Sequence, residues 1–287
     1  TVSFSSHVEQ EAIADLKSKT HGAWRLFYSR LDQMKYGMLQ AASDDRLRLS
    51  IKQGDRAYLQ RLLGKYSNVR PYVNYWAIVD EKGSVVARKN GNHGDFLDIN
   101  GMVGKALSSG EPVLSTEAVN REFLERESAD LAARIESKGL MQFVVVPVVD
   151  NGRTIGAFVT GMLLNGNSWL PGSVHEYFNA KAAVFMFEQS DKPAVVASTG
   201  LPKGIFYPLT TLPKGVASTL SAGSSYLGKT SLSSEGVFLA IEPIKNFKGD
   251  PIGALAVAEY ESVAREHVSE ISSKILIVAG AGILFSL

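Results

Sequence analysis

Cysteine is absent from this sequence, and its charges nearly cancel. The 287 residues include 30 Lys and Arg and 29 Asp and Glu, which gives a net charge of +1. Without cysteine the chain forms no disulfide, uses no thiolate and holds no cysteine-ligated zinc. A charge near zero, with no basic stripe carrying interleaved aromatics, gives no electrostatic reason to bind nucleic acid. The composition is that of a globular protein, 45% hydrophobic and 21% charged.

The sequence also lacks the motifs of common catalytic and metal sites. Its five histidines form no HExxH motif and no pairs four residues apart, and no GxSxG elbow occurs. Asp95 and Asp98 lie near His93 in sequence, but a solvated loop is the simpler interpretation of this group. We therefore expect no catalytic residues, no metal site and no cofactor, and predict that this chain is not an enzyme.

One match to a functional motif needs a structural interpretation. Residues 223–230, GSSYLGKT, fit the phosphate-binding loop pattern G-x-x-x-x-G-K-[ST]. Such a loop follows a strand and opens a helix whose amide groups contact the phosphates. Here a strand-like run, GVFLAIEP, comes next and no helix-forming run follows Lys229. We interpret the match as coincidence, and a strand and turn at this segment would exclude nucleotide binding.

One hairpin pattern occurs twice in the sequence. Phe143–Leu164 and Leu239–Tyr260 each contain an apolar run, a proline (Pro147 or Pro243), a glycine-containing turn and then Ile-Gly-Ala. The runs are apolar on both faces, which predicts a central antiparallel pair covered on both sides. Because proline cannot donate to a strand ladder, we expect each proline where a strand bends or ends.

A second hairpin is also duplicated, which indicates two modules. Residues 72–88 and residues 183–198 each read as strand, turn and strand, with Val-Val-Ala in the second strand. The spacing between the two hairpins is about 14 residues longer in the first module. We place the extra residues at Arg121–Gly139, where Leu124, Ser128, Leu131 and Ile135 predict a weak amphipathic helix.

A long helix precedes the modules. Apolar residues at steps of three and four, with one threonine, predict a helix of some 35 residues over Val8–Ser43. Such a length predicts a helix that lies along more than one domain or pairs with another chain. The stripe consists of Ile13, Leu16, Thr20, Trp24, Phe27, Leu31, Met34 and Met38. Two short helices follow it.

The predicted fold class is α+β: a long N-terminal helix, then two tandem modules, each an antiparallel sheet with covering helices. The boundaries are 1–70 for the helices, 71–166 for the first module, 167–180 for a connecting helix, 181–262 for the second module and 263–287 for a C-terminal helix. Its last thirteen residues, ILIVAGAGILFSL, carry no charge. They span about 20 Å as a helix, short of a ~30 Å hydrocarbon core, and we interpret them as a truncated transmembrane helix.

Taken together, these features resemble the double Cache sensor region of prokaryotic transmembrane receptors, which consists of two PAS-like modules. The resemblance rests on the long helix, on YWAIVDEKGSVVAR at 75–88, and on the hairpins PVVDNGRTIGAFVTG at 147–161 and PIKNFKGDPIGALAVA at 243–258. It covers nearly all of the chain up to Ser273. The variant most similar is described as the double sensory domain of sensor kinases and chemoreceptors.

The resemblance implies a receptor region outside the cytoplasm, anchored in the cell membrane by flanking helices and dimeric in the full-length receptor. Such a region binds a small molecule in the membrane-distal first module and signals to a histidine kinase or a chemotaxis domain. The amino-acid-binding subset carries an aromatic, arginine and aspartate signature. Arg70, Tyr72, Tyr75 and Trp76 supply those residue types in a different order, so an amino-acid ligand is not supported.

We expect the ligand pocket between the distal sheet and its covering segments, Gly91–Gly110 and Leu114–Gly139. Adjacent strand residues point to opposite faces of a sheet, so only one of Tyr75 and Trp76 can face the pocket and the other packs in the core. Arg121, a further candidate, begins an exposed helix. The candidate ligand-binding residues are Tyr75, Trp76, Arg88, Glu117, Arg121 and Gln142.

An alternative is a module that recognises a partner protein, or dimerises through the long helix, and binds no small molecule. A small-molecule sensor needs an enclosed site with convergent polar groups, whereas the alternative needs an exposed apolar stripe on the helix.

Overall fold

The computed structural model describes residues 2–189, 192–199, 216–232 and 235–266. The helices are α1 (Val2–Ala42), α2 (Asp45–Gln53), α3 (Arg56–Val69), α4 (Met102–Ser109), α5 (Arg121–Glu125), α6 (Ala129–Ala132), α7 (Trp169–Phe178) and α8 (Val216–Ser221). The strands are β1 (Tyr75–Asp80), β2 (Val85–Arg88), β3 (Val113–Asn120), β4 (Lys138–Asp150), β5 (Arg153–Leu163), β6 (Lys181–Gln189), β7 (Lys192–Ser198), β8 (Tyr226–Leu232), β9 (Glu235–Lys245) and β10 (Pro251–Tyr260). Residues 261–266 are helical.

The strands form two five-stranded antiparallel sheets of identical topology. Their strand orders are β2-β1-β5-β4-β3 and β7-β6-β10-β9-β8. The longer hairpin of each sheet, β4–β5 or β9–β10, therefore supplies the central strand and one of its neighbours. The duplicated sequence patterns therefore correspond to duplicated modules, and the predicted α+β class with tandem PAS-like modules is confirmed. We call the first the distal module and the second the proximal module.

The two prolines lie inside strands rather than at their ends, and each is within two residues of an irregularity in the register of its hairpin. Pro147 pairs with Ala157 in the β4–β5 ladder, and Pro243 pairs with Ala254 in the β9–β10 ladder. The pairing of β3 with β4 stops at Val145, and that of β8 with β9 stops at Ile241. Each proline therefore lies two residues beyond the end of an edge strand, where its nitrogen needs no acceptor.

The glycine of each Ile-Gly-Ala motif permits a close approach between strands. A Cβ on Gly156 would lie 2.3 Å from the carbonyl oxygen of Val79, and one on Gly253 would lie 2.2 Å from that of Phe185. Any side chain would push β5 away from β1, or β10 away from β6. The motif recurs because both modules need the same contact.

Helix α1 packs along both sheets, as one of the two sequence-based options predicted. The predicted stripe is buried at Leu16, Phe27, Leu31, Met34 and Met38, while Ile13 and Trp24 are partly buried. This stripe shares one apolar core with α2, α3, α7 and the near faces of both sheets. A separate core lies on the far face of each sheet, under α4–α6 in the distal module and under α8 in the proximal module.

The extra residues of the distal module lie where the sequence places them, but they do not form one helix. Between β3 and β4 the chain forms α5 and α6, whereas only two residues separate β8 from β9. Asn120 caps α5 and Ser128 caps α6, because each side chain accepts a hydrogen bond from a backbone N–H of its own first turn. The second cap interrupts the predicted helix. We call residues 121–135 the distal cover.

The segment that fits the phosphate-binding pattern is a turn and a strand. Gly223 has a φ of 78°, and residues from Tyr226 onwards form β8, with Lys229 ion-paired to Glu261 at 2.7 Å. Lys229 lies within β8 and does not open a helix, so the amide groups that hold phosphates are not assembled there. This geometry excludes the nucleotide interpretation.

The apolar C-terminal segment, residues 275–287, lies outside the described residues. Within the part of the chain that is described, no helix combines the length and apolar character that crossing a bilayer requires.

Candidate ligand-binding site

The strongest concentration of buried polar groups in an apolar setting lies between the distal sheet and the distal cover. Tyr75 on β1, Arg88 at the end of β2 and Glu127 in the distal cover are 0%, 2% and 1% exposed. They lie at the core formed by the far face of the distal sheet. We call these three residues the buried polar cluster.

Aromatic rings form the wall beside this cluster. The Tyr75 ring stacks on Phe123 of the distal cover with centroids 5.2 Å apart, and it meets the edge of Phe143 on β4 at 5.8 Å. Phe123 and Phe143 also make an edge-to-face contact. Gly161 on β5 pairs with both Tyr75 and Phe143, and its missing side chain leaves room for Phe143.

Arg88 is held by an ion pair at the rim of the cluster. Its Nη1 and Nη2 donate to the two carboxylate oxygens of Asp95 at 2.6 and 2.8 Å, and Nη1 also donates to the Asn92 carbonyl. Burial alone would lower the pKa of Arg88, but Asp95 and the neighbouring Tyr75 hydroxyl raise it, so the guanidinium stays charged. Arg88 in turn lowers the pKa of Asp95 below its usual value.

Glu127 is the exceptional member of the cluster. Neither carboxylate oxygen has a hydrogen-bond partner of normal geometry. Burial raises its pKa to about 8, although the charges of Arg88 and Lys89 act in the opposite direction. A buried carboxyl without a partner costs stability, and such groups occur most often at functional sites.

Two further polar atoms of the cluster have no partner. The Tyr75 hydroxyl and the Nε of Arg88 are buried without a hydrogen bond. Burial raises the pKa of Tyr75 to about 12, with Arg88 acting against it. The cluster therefore offers a donor and acceptor at Tyr75, a donor at Arg88 and a carboxyl at Glu127, all beside aromatic rings. A pocket of apolar walls with a few convergent polar groups is typical of small-molecule sites.

The distal cover closes tightly over this cluster. A Cβ on Gly91, just after β2, would lie 1.8 Å from the backbone oxygen of Arg126. Arg126 also forms ion pairs with Glu122 at 3.1 Å and with Asp95 at 3.7 Å. The cover therefore rests on the β2 loop through one backbone contact and through charged side chains that remain partly exposed.

Changing Gly91 to Ala is expected to displace the distal cover, because the added methyl group cannot coexist with the Arg126 carbonyl. We expect a loss of about 1 to 3 kcal/mol in the free energy of unfolding, the range typical of overpacking. Faster amide hydrogen exchange should be confined to residues 121–135. The matched control is Gly104→Ala in α4, where a Cβ meets no atom within 4 Å and helix propensity favours alanine. Equal exchange in the two variants would contradict the prediction.

Two of the residues nominated from the sequence lie on the opposite face of the sheet. Trp76 faces α3, where it stacks on Tyr66 at 6.4 Å, and its Nε1 donates to the Val73 carbonyl at 2.9 Å. Gln142 faces α1, and its Nε2 donates to the Phe27 carbonyl at 2.9 Å. The pleat alternation therefore takes both residues away from the buried polar cluster.

The other two nominated residues are also separate from the cluster. Arg121 is half exposed at the start of α5 and pairs with Glu125 at 3.2 Å. Glu117 is buried at the edge strand β3, where it accepts hydrogen bonds from Ser115 Oγ, Asn100 Nδ2 and the backbone N–H of Phe247. Because Phe247 lies in the β9–β10 turn, Glu117 joins the distal module to the proximal one.

Sequence reasoning missed Glu127 and assigned Asp95 to a solvated loop. Glu127 lies three residues after Leu124 and four before Leu131, so helical spacing alone places it on the buried side of the distal cover. That spacing was the available signal. Nothing in the sequence indicates that Asp95 returns to Arg88, because the loop between them has no regular period.

An open cleft of about 660 Å³ also lies at the end of the distal module, between the β1–β2 and β4–β5 turns. Its lining includes the ion pairs Lys52–Asp150 and Arg153–Glu81. These charges are already paired with one another and are exposed to water, so they would gain little from binding a ligand. The cleft is therefore a weaker candidate for a ligand site than the buried polar cluster.

Comparison with known proteins identifies the family of this fold. The model of a double Cache family, described as the double sensory domain of two-component sensor kinase, matches residues 15–259. The chain is a double Cache sensory domain. No curated protein sequence matches it.

Solved structures share the fold of this double Cache domain at low identity. The extracellular domain of the putative histidine kinase vpHK1S-Z8 matches with a TM-score of 0.57 and 11% identity, over 90% of this chain and 98% of that one. The ligand-binding domain of the Campylobacter jejuni chemoreceptor Tlp3 matches with a TM-score of 0.55 and 12% identity, over 90% and 93%. The sensor domain of the Vibrio cholerae histidine kinase DctB matches with a TM-score of 0.51 and 10% identity, over 88% and 98%.

Proposed function

We propose that this sensory domain belongs to a transmembrane signalling receptor and binds a small molecule in its distal module. The ligand occupies the space between the distal sheet and the distal cover, and its polar group supplies the missing partners of the buried polar cluster. One observation carries the proposal: Tyr75, Arg88 and Glu127 present buried polar atoms without partners. A receptor pocket that awaits a ligand accounts for the concentration of such atoms in one place.

The position of the cluster supports this proposal. Phe123, Leu124 and Glu127 come from the distal cover, which has no counterpart between β8 and β9 of the proximal module. Residues added to one copy of a duplicated fold are where its function differs from that of the other copy. In the closed arrangement the rings of Tyr75, Phe123 and Phe143 fill the space, so ligand entry requires movement of the cover.

The relatives agree with a ligand-binding role outside the cytoplasm. The Tlp3 domain was solved in complex with 4-methylisoleucine and with L-valine, and the vpHK1S-Z8 domain is described as extracellular. We therefore assign this chain to the extracytoplasmic side of the cell membrane. In this proposal residues 71–166 form the ligand-binding module and residues 181–262 the module nearer the membrane.

The signal has a continuous route in the fold. Glu117 contacts the β9–β10 turn, so a change at the distal sheet reaches the proximal hairpin. Strand β10 leads directly into the helical residues 261–266. A shift or rotation of this helix is the signal that we propose crosses the membrane, and the receptor acts as a homodimer.

A thermal-shift screen of the purified chain tests ligand binding. We expect a hit from a library of amines, amino acids, organic acids, purines and sugars. A ligand at a hundred times its dissociation constant adds about 2.7 kcal/mol to the free energy of unfolding, or several degrees. Tyr75→Phe removes one hydroxyl from the cluster and should weaken the hit at least fivefold. The control is Tyr66→Phe on the other face of the sheet, which should leave it unchanged. Equal affinity in both variants would place the ligand elsewhere.

The alternative function is recognition of a partner protein, or of a second copy of this chain, through helix α1. Tyr28, Tyr36 and Leu39 are 54%, 64% and 40% exposed on α1, and steps of eight and three residues keep them on one side of the helix. Asp32 and Lys35 form an ion pair within this stretch and interrupt the apolar surface. A chain that dimerises in sedimentation experiments but answers no compound would favour this second function.

A further inference from the structure

We propose that the ligand of the distal module carries a protonated amine, for which Glu127 is the counter-ion. This inference rests on the proposed function, because it names the chemical class that fits the same site. The charges around the buried polar cluster and the aromatic rings beside it both favour such a ligand.

Among the carboxylates near the cluster, those of Asp95 and Glu122 are ion-paired and that of Glu127 is not. Arg88 binds Asp95 through two hydrogen bonds, and Arg126 pairs with Glu122 and also approaches Asp95. Within the described part of the chain, Glu127 has no ion pair and no hydrogen bond of normal geometry, although the backbone of Trp76 and that of Asn90 approach its carboxyl. A ligand that completes this site therefore brings a positive charge or hydrogen-bond donors, and a charge-assisted bond is the stronger of the two.

The aromatic wall favours a cation as well. Tyr75, Phe123 and Phe143 pack together beside the carboxylate, and ring faces attract an ammonium group more strongly when water is excluded. The Tyr75 hydroxyl can accept a hydrogen bond from the same ammonium. A carboxylate opposite aromatic rings is therefore matched to an amine with an apolar body.

An anionic or neutral ligand fits this site less well. Three of the five N–H groups of Arg88 donate to Asp95 and to the Asn92 carbonyl, and the charge of the guanidinium is already balanced by Asp95. An anion would also lie beside Glu127. A neutral ligand would leave the carboxyl protonated, and its hydrogen bonds there would lack the strength that charge adds.

Ammonium binding should release a proton from Glu127. The pKa of this carboxyl is raised to about 8, so in the free protein it is mostly protonated at pH 7. An ammonium ion favours the carboxylate form, and the dissociation constant should therefore fall about fiftyfold from pH 6 to pH 8 and then level off. The charged groups that act on Glu127 are Arg88 and Lys89, and Tyr75 with Asp95 completes its surroundings.

Calorimetric titration of the whole chain tests the inference. The probes are phenethylamine and butylamine, each with its uncharged alcohol (2-phenylethanol, 1-butanol) and a carboxylate of similar size (3-phenylpropanoate, butanoate). We expect at least one amine to bind with the pH profile described, and both alcohols and carboxylates to bind at least tenfold more weakly. Glu127→Gln should weaken amine binding at least tenfold at pH 8 and flatten the profile. His93→Asn, at an exposed position of the loop that follows β2, should leave the profile intact.

The outcomes separate this inference from the proposed function. If an alcohol or a carboxylate binds as well as its amine, or if Glu127→Gln keeps both affinity and pH profile, the amine assignment is wrong. The same holds if no probe binds while another library compound does and responds to Tyr75→Phe; the distal pocket would then stand with a different ligand class. If no compound of either set binds, the proposed function fails together with the inference.

Discussion

Replacing Glu127 with glutamine is expected to remove a large part of the pH dependence of stability between pH 5 and pH 8. In the native protein the pKa of Glu127 is raised to about 8 from a usual 4.5. Between pH 4.5 and about pH 8, the Glu127 carboxyl therefore keeps its proton in the native state and loses it in the unfolded state. The free energy of unfolding therefore falls as pH rises, until the native carboxyl also ionises near pH 8.

The expected size of this effect is about 3 to 4 kcal/mol between pH 5 and pH 8, since one pKa unit corresponds to about 1.4 kcal/mol. The measurement is urea unfolding of the wild type and of Glu127→Gln at both pH values. Glutamine has the size of a protonated glutamate, so the difference between the two proteins should be small at pH 5 and favour the variant at pH 8. Glu122→Gln, at an exposed ion pair with Arg126, is the control and should show no such trend. Parallel curves for the wild type and Glu127→Gln would show that the carboxyl is ionised normally.

The sequence predicts the fold well because the fold depends on repeated patterns. The duplicated hairpins, the stripe on α1 and the location of the extra residues were all readable, since each rests on a period or on a difference in spacing. The interruption at Ser128 was less evident, because a serine that caps a new helix can also occupy a polar position in a longer one. Pro147 shows the same limit: its tolerance depends on where the neighbouring strand β3 ends.

The candidate site is less predictable because it depends on contacts between distant segments. Tyr75 and Arg88 were accessible from the sequence, since both belong to a recognisable strand-turn-strand. The ion pair of Arg88 with Asp95 and the return of Glu127 over β1 and β2 arise only when the distal cover folds back. Because side chains alternate between the two faces of β1, either Tyr75 or Trp76 could face the pocket. The sequence around them does not show which face of β1 packs against α3.

Changing Lys19 to Met is expected to cost about 3 to 5 kcal/mol of the free energy of unfolding, because it removes the ammonium group that binds both oxygens of the buried Glu259 carboxylate. Lys19 on α1 donates to both oxygens of Glu259 on β10 at 2.9 Å, and its second partner is Asp15 at 2.7 Å. Glu259 is only 3% exposed. Burial acts to lower the pKa of Lys19, but the two carboxylates raise it above its usual value. The stabilisation is therefore present at neutral pH and is lost only as pH rises through that raised pKa.

Lys35→Met is the matched control for this prediction. Lys35 lies on the same helix and pairs with Asp32 at 2.8 Å, but the Asp32 side chain is 52% exposed, so its loss should cost less than about 1 kcal/mol. The double variant Lys19→Met with Glu259→Gln should regain part of the stability, since the buried carboxylate charge is then removed as well. Similar costs for Lys19→Met and Lys35→Met would mean that the buried pair does not hold α1 to β10. A large difference would establish that the long helix is fastened to the strand from which the helical residues 261–266 continue.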